Sequence, residues 1–465
     1  MVERSVERAE AMRIAVVGSG YVGLVSGACL AEIGHDVVCI DSDAGKIAAL
    51  RTGRMPFYEA GLEQLVDGNA AAGRLRFADS LADGVPDADA VILAVGTPSR
   101  LEDGEADLSY IHAAIDDLAE HLKPGVTLIS KSTVPVGTGD QIAARLGRRR
   151  PNFEVDVVSC PEFLREGAAI EDFMRPHRIL VGSGSPRGEA VLREIYAPLI
   201  EVGVPFLVMD RRSAELAKYA ANAFLATKLA FINEMADFAE NVSADIEAVA
   251  NAIGLDPRIG QSYLRVGPGF GGSCFPKDAM ALHRTGEEVQ ASLRIVETVI
   301  AVNEQRKRSM AGRIVDAVGG DVDGKVIAVL GVTFKAGTDD VRDSPAIPII
   351  RRLEARGAVI RAFDPGLEEP PTHAAFTNVE WPGRIEATLQ SADAAVVVTD
   401  WDDFRDFSLS DMASRLATPT LIDLRNLFDP SEAAAAGLNY FSLGRGAHRG
   451  KTTSERPASG LKVVG

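Results

Sequence analysis

Residues 13–17, Arg-Ile-Ala-Val-Val, run directly into Gly-Ser-Gly-Tyr-Val-Gly and then into the small-residue stretch Leu24–Glu32. An apolar run of this length reads as a buried strand, the stretch beyond as a helix, and Val-Val-Cys-Ile-Asp at 37–41 as a second strand. Glycines at Gly18, Gly20 and Gly23 between strand and helix leave bare backbone at a helix N-terminus, where amide N–H groups and the helix dipole favour a pyrophosphate. Asp41 closes the second strand 18 residues after Gly23. A carboxylate there accepts from both ribose hydroxyls and repels a 2′-phosphate, so NAD rather than NADP is the expected cofactor.

Further apolar strands at 90–98, 127–135, 155–163 and 178–184 alternate with helical or polar stretches, as in a doubly wound sheet ending near Asp210. Ser213 then reads as a helix cap, and the pattern to Asn241, free of Gly and Pro, predicts one long helix. Helical patches follow at 244–253 and 289–308. From Asp323-Gly324 the strand–helix rhythm returns at 325–334, 346–356, 358–365, 392–400 and 419–428, without a second glycine fingerprint. The expectation is an α/β chain: two Rossmann-like doubly wound domains, 12–210 and 324–445, joined by an all-helical central domain, 211–323. A flexible extension is expected at 1–11 and a disordered polar tail at 446–465.

Charge and apolarity narrow the function class. With 66 acidic against 49 basic side chains the net charge is −17, which repels nucleic acid and anionic lipid. No apolar run approaches the roughly 20 residues of a membrane span, so a cytoplasmic protein is expected. Cys29, Cys39, Cys160 and Cys274 form no CxxC pair and the seven histidines are scattered, so neither a disulfide framework nor a metal site is indicated. Cys29 and Cys39, among apolar neighbours, read as core.

Cys274 differs, because it ends Gly-Phe-Gly-Gly-Ser-Cys and precedes Phe-Pro-Lys-Asp, with Pro276 suited to a first helical turn. The glycines leave room for a substrate to reach sulfur. The helix dipole and nearby lysines are expected to lower the thiol pKa toward a nucleophilic thiolate. Asp278, four residues on, can share a face with the sulfur as a base or water-positioner. Lys218 and Asn222, spaced i, i+4 on the long helix, can cradle an oxyanion. The strand-end loops Lys-Ser-Thr-Val-Pro-Val-Gly-Thr and Cys-Pro-Glu-Phe-Leu-Arg-Glu-Gly offer Thr133, Glu162 and Glu166.

These motifs, in this order, resemble the UDP-glucose/GDP-mannose dehydrogenase family of nucleotide-sugar dehydrogenases over roughly Met12–Phe441. The segments that carry the likeness are GSGYVGL, KSTVPVGT, PEFLREGAAIEDF, KYAANAFLATKLAFINE, GFGGSCFPKD and FKAGTDDVRDS. The resemblance implies an NAD-dependent oxidation of UDP-glucose to UDP-glucuronate by two successive hydride removals, and a homodimer or higher homo-oligomer supported by the long helix. It implies Cys274 as nucleophile, Lys218, Asn222 and Asp278 around the reacting carbon, and Thr133 and Glu162 positioning water. Phe163, Leu164, Glu166, Tyr263, Gly271, Lys335 and Arg425 would hold the UDP-sugar, and Arg258 would reach a neighbouring subunit's ligand. Beside Gly18, Gly20, Gly23 and Asp41, the cofactor set would include Tyr21, Val22, Lys46, Thr97, Thr133, Glu166, Lys277 and Arg342.

Two departures stand out: Ser159-Cys160 replaces the usual Ser-Asn, and Val-Gly-Thr-Pro replaces Val-Pro-Thr-Pro. GDP-mannose and other nucleotide sugars remain alternative substrates. A two-electron hydroxyacid dehydrogenase shares a Rossmann domain and a helix bearing Lys and Asn, but has no need of a thiol.

Overall fold

A computed structural model describes residues 11–98, 100 and 106–445. Residues 1–10 of the expected extension and the whole expected tail lie outside the described residues. By contact the chain divides into two compact units. The first runs to Thr227 and takes in Gly271–Val302 and Ala336–Asp343; the second is Lys228–Phe270, Asn303–Lys335 and Ser344 onward.

The first unit holds an eight-stranded sheet: β1 (Arg13–Val17), β2 (Asp36–Ile40), β3 (Leu75–Ala78), β4 (Ala90–Leu93), β5 (Thr127–Ser130), β6 (Asp156–Ser159), β7 (Ile179–Ser183) and β8 (Phe206–Met209). Their order, β3-β2-β1-β4-β5-β6-β7-β8, begins with the 3-2-1-4-5-6 arrangement of a dinucleotide fold. Every pairing is parallel except β6 with β7. The inner strands β1, β4 and β5 are buried on both faces, so they read as near-continuous apolar runs rather than alternating ones. On β1, Ile14 and Val16 enter one core with Leu24, Val25 and Ala28 of the helix Tyr21–Glu32. Ala15 and Val17 enter the opposite core with Ile111, Ile115, Ile142 and Leu146. Cys29 and Cys39 are core residues, and a Cβ at Gly27 would lie 2.4 Å from the Cys39 sulfur, so glycine lets the helix sit against β2.

The second unit holds a five-stranded parallel sheet, β9 (Val326–Leu330), β10 (Val359–Phe363), β11 (Ala394–Val397), β12 (Thr420–Asp423) and β13 (Asn439–Ser442), in the order β10-β9-β11-β12-β13. Its core gathers Leu330, Val397, Phe404, Leu421 and Tyr440. At the end of β12 the buried Asp423 carboxylate accepts from the amides of Arg425, Leu427 and Phe428 and from the Tyr440 hydroxyl, fixing the turn that bears Arg425.

The long helix spans Arg211–Val242. Its cap differs from the sequence expectation: Asp210, not Ser213, takes that part, accepting from the Ser213 amide (2.9 Å) and hydroxyl (2.6 Å). Ser213 thus lies inside the first turn. The helix expected at 289–308 begins later, at Arg294, and runs to Ala317.

Candidate functional site

The glycine turn after β1 is shaped for close approach. Gly18 has φ +99°, and a Cβ there would lie 2.6 Å from the Ala94 carbonyl oxygen. At Gly23 a Cβ would meet the Gly18 carbonyl at 1.8 Å. Gly20 is the N-cap of the helix Tyr21–Glu32, receives no side-chain capping bond, and has no atom within 4 Å of where its Cβ would be. Free N–H groups and open space at one helix N-terminus are what a pyrophosphate requires, so these residues fit NAD. Asp41 is oriented by the Ser19 amide (2.8 Å), the Asp43 amide (3.0 Å) and Lys46 Nζ (2.8 Å). Burial opposes its charge, but Lys46 and the two amides prevail and hold its carboxyl below the ordinary value.

Other residues of the expected cofactor set take these places. Val22 packs partly buried against the core. Thr97 donates to the Thr133 carbonyl at 2.9 Å, tying together the loops that follow β4 and β5. The Tyr21 hydroxyl is committed to Glu59 at 2.5 Å. Glu59, which the sequence did not single out, is buried and also accepts from the amides of Gly167 (2.6 Å) and Ala169 (2.8 Å), so it holds the loop carrying Glu166.

Cys274 is the N-cap of the helix Phe275–Glu288, with Pro276 in the first turn, as its spacing predicts. The Asp278 amide donates to the Cys274 carbonyl at 2.8 Å, closing that turn. Ser273 Oγ lies 3.5 Å from the sulfur and donates to Glu166 Oε1 at 2.9 Å. Arg342 Nη2 lies 3.6 Å from Glu166 and 2.7 Å from Asp340, and the Arg342 carbonyl accepts from the Gly272 amide at 2.9 Å. The sequence segments around 162–166, 271–278 and 338–342 thus converge within the first unit.

Lys218, Glu162 and Asp278 act on the thiol electrostatically, and each of the two carboxylates is paired with a lysine. Lys218 Nζ lies 3.2 Å from Glu162, both side chains about 5 % exposed or less. Lys277 Nζ lies 2.6 Å from Asp278, whose other oxygen accepts from Asn222 Nδ2 at 2.7 Å. Glu162 is itself oriented by the Leu164 amide. Lys218 Nζ lies 5.0 Å from the centroid of the Phe163 ring and the Arg178 guanidinium 3.7 Å from it. Burial pulls the Lys218 pKa down, yet Glu162, then Cys274 and Asp278, outweigh it and leave the ammonium above its usual value.

The expected low thiol pKa is corrected here. Burial, then the charges of Glu162 and Asp278, push Cys274 up to about 11, against weaker opposing effects of Lys218 and Ser273. The lysines are already neutralised by their carboxylates, so the resting group is a thiol. Alkylation of Cys274 by iodoacetamide is therefore expected to accelerate about tenfold per pH unit between pH 7 and 10, in step with the thiolate fraction. A rate that levels off by pH 8 would contradict this. Cys29 and Cys39, fully buried with pKa raised by burial to about 12, should stay unmodified.

In the second unit the glycine loop before Gly271 is held by side chains the sequence did not reveal. Asn233 accepts from the Gly267 amide at 2.9 Å, and Arg306 Nε donates to the Gly267 carbonyl at 2.7 Å. Asn303 accepts from the Phe270 amide and donates to its carbonyl. Gly269 has φ +117°, and a Cβ there would lie 2.7 Å from Lys307 Cγ. Arg425 donates to the Val398 carbonyl and packs against Gly267, whose Cβ would lie 2.9 Å from its guanidinium. Lys335 Nζ lies 5.6 Å from the centroid of the Phe334 ring, and Tyr263 adopts φ +65°. Arg258 is highly exposed and paired with Asp256 at 2.6 Å.

Three domain descriptions of one family match in sequence order: the NAD binding domain over 12–200, the central domain over 212–305 and the UDP binding domain over 328–430. The chain belongs to the UDP-glucose/GDP-mannose dehydrogenase family. It is an NAD-dependent oxidoreductase. It is 48% identical over 437 residues to UDP-glucose 6-dehydrogenase of Rhizobium meliloti, covering 93% of this chain and 100% of that one. To UDP-glucose 6-dehydrogenase TuaD of Bacillus subtilis it is 42% identical over 452 residues, 97% of each. Among solved structures, a UDP-glucose dehydrogenase from Pyrobaculum islandicum superposes with a TM-score of 0.86 at 36% identity, covering 95% of this chain and 99% of that one. The two Rossmann-like parallel-sheet domains and helical central region expected from sequence agree with that match. Among the described residues no helix is long and apolar enough to cross a membrane, and no cluster of His, Cys, Asp and Glu suits a metal ion.

Proposed function

We propose that this member of the family oxidises the C6 hydroxyl of UDP-glucose to a carboxylate, with Cys274 bonded transiently to C6. The observation that carries the reading is a part-buried thiol at a helix N-terminus whose ionisation answers to Lys218, Glu162 and Asp278. NAD bound at the glycine turn accepts a hydride in each of two oxidations. Everything else falls to side chains. Lys218, a buried cation, stabilises negative charge developing on O6, and Asn222 orients Asp278 beside it. An aldehyde cannot surrender a second hydride until a nucleophile adds. The S–C6 bond supplies that addition as the sulfur gives up its proton toward Asp278, forming a thiohemiacetal. Its oxidation leaves a thioester, and water positioned by Glu162 and Thr133 releases the acid and restores the thiol. One alcohol, one water and two NAD thus give one carboxylate, two NADH and three protons.

Phe163, Leu164, Glu166, Gly271, Tyr263, Lys335 and Arg425 are proposed to contact the UDP-sugar. Arg258, exposed as it is, is proposed to reach the ligand of a second copy. Phe224, Phe231 and Phe238, exposed and seven residues apart on the long helix, support a homo-oligomer formed through that face. The test is a panel of nucleotide sugars with NADH counted against product. Two NADH per UDP-glucuronate, with GDP-mannose turned over far more slowly, supports the reading; one NADH per sugar, or preference for another nucleotide sugar, overturns it.

A further inference from the structure

One turn before Lys218 on the long helix lies a carboxylate that the chemistry above does not use. Glu215 is 3% exposed, and three donors converge on it: the Gly137 amide at 2.6 Å, the Gly139 amide at 2.8 Å and Ser159 Oγ at 2.8 Å. The first two open the helix Thr138–Arg149, whose N-cap Gly137 has φ +94° and offers no capping side chain of its own. Glu215 therefore caps a helix from a distance of 76–78 residues in sequence. The third donor ends β6, three residues before Glu162. A small cavity is walled jointly by Thr133, Ser159, Glu215 and Lys218.

We propose that Glu215 is a positioning residue that acts through Lys218, fastening the turn of the long helix that bears the ammonium to the strand ends that bear Thr133 and Glu162. The inference rests on the reading of Lys218 given above. Burial of a carboxylate and two amides is tolerable only if they satisfy one another, so the contact has one favoured geometry. Gly139 is part of the device: a Cβ there would stand 2.7 Å from Ser159 Oγ and 2.9 Å from Glu215 Oε1. A second tether, Arg211 and Arg212 to Asp140, lies nearer the surface, where ion pairs hold position weakly.

The test uses the full chain with NAD and UDP-glucose. In Glu215→Gln the amide NH2 must face at least one backbone N–H, so the clamp loosens without loss of volume. We expect kcat to fall about tenfold or more, KM for NAD to stay within about twofold, and circular dichroism to be unchanged. Gly139→Ala, which displaces the carboxylate but keeps it, should lower kcat in the same way, whereas Arg212→Ala should not. The deciding comparison is Glu215→Gln made on Lys218→Ala, where the further loss should be under about twofold. Full tenfold losses in both backgrounds, or wild-type kcat in Glu215→Gln, overturn the inference while leaving the role of Lys218 intact. Wild-type turnover by Lys218→Ala itself overturns both. Should Glu215→Gln fail to fold, Gly139→Ala carries the same comparison with the same outcomes.

Discussion

Cys274→Ser will bring steady NADH production from UDP-glucose below about one thousandth of the wild-type rate, the scale seen when a covalent nucleophile is removed. The hydroxyl is a far weaker nucleophile than the thiol at this position, whose neighbours Glu162 and Asp278 already resist negative charge. The loss will not come from unfolding. Cys274 makes no side-chain capping bond as the N-cap of its helix, and serine is a preferred N-cap, so the melting temperature should hold or rise. Turnover of UDP-glucose to acid by this variant at more than a few per cent of the wild-type rate would remove the covalent step from the account.

Lys218→Ala should lower kcat about 10²–10³-fold, the range for losing a preorganised partner of a developing oxyanion, with KM for NAD nearly unchanged. Asp41 is held by Ser19, Asp43 and Lys46, whereas Lys218 is paired with Glu162, which explains the split. A stability loss should accompany it. Lys218 and Glu162 form a buried pair, and removing the cation strands the carboxylate, a change that typically costs about 3–5 kcal/mol. Because Lys218 is held above its usual pKa, its charge should persist through the whole neutral range and contribute no inflection to the pH profile there. Wild-type kcat in a folded Lys218→Ala protein would refute its role on O6.

What the residues alone disclosed follows a physical pattern. The glycine turn, Asp41 and the thiol at a helix start are local features, set by neighbours within a few positions, and the structure has them where spacing places them. Glu59 and Glu215 were invisible because their partners are backbone amides 76–110 residues away, and a carboxylate seeking an N–H leaves no pattern in composition. The direction of the Cys274 shift escaped for a related reason. Counting nearby lysines ignored the carboxylates that pair with them: Asp278 is the sequence neighbour of Lys277, whereas tertiary structure alone brings Glu162 to Lys218. Strands β3 (Leu-Arg-Phe-Ala) and β13 (Asn-Tyr-Phe-Ser) carry polar residues among their four positions and so show no continuous apolar run, and β8 is partly exposed at every position. The antiparallel pairing of β7 with β6 depends on the path of the chain between them, on which hydrophobic periodicity is silent.

The central claim is a bond between Cys274 and the oxidised C6. Rapid acid quench of the enzyme during turnover of UDP-glucose, followed by peptide mass spectrometry, tests it directly. The account predicts a UDP-glucuronyl mass on the peptide bearing Cys274, formed and lost at rates matching turnover and discharged by hydroxylamine. Finding that peptide unmodified throughout turnover, while acid accumulates with two NADH per sugar, would contradict it.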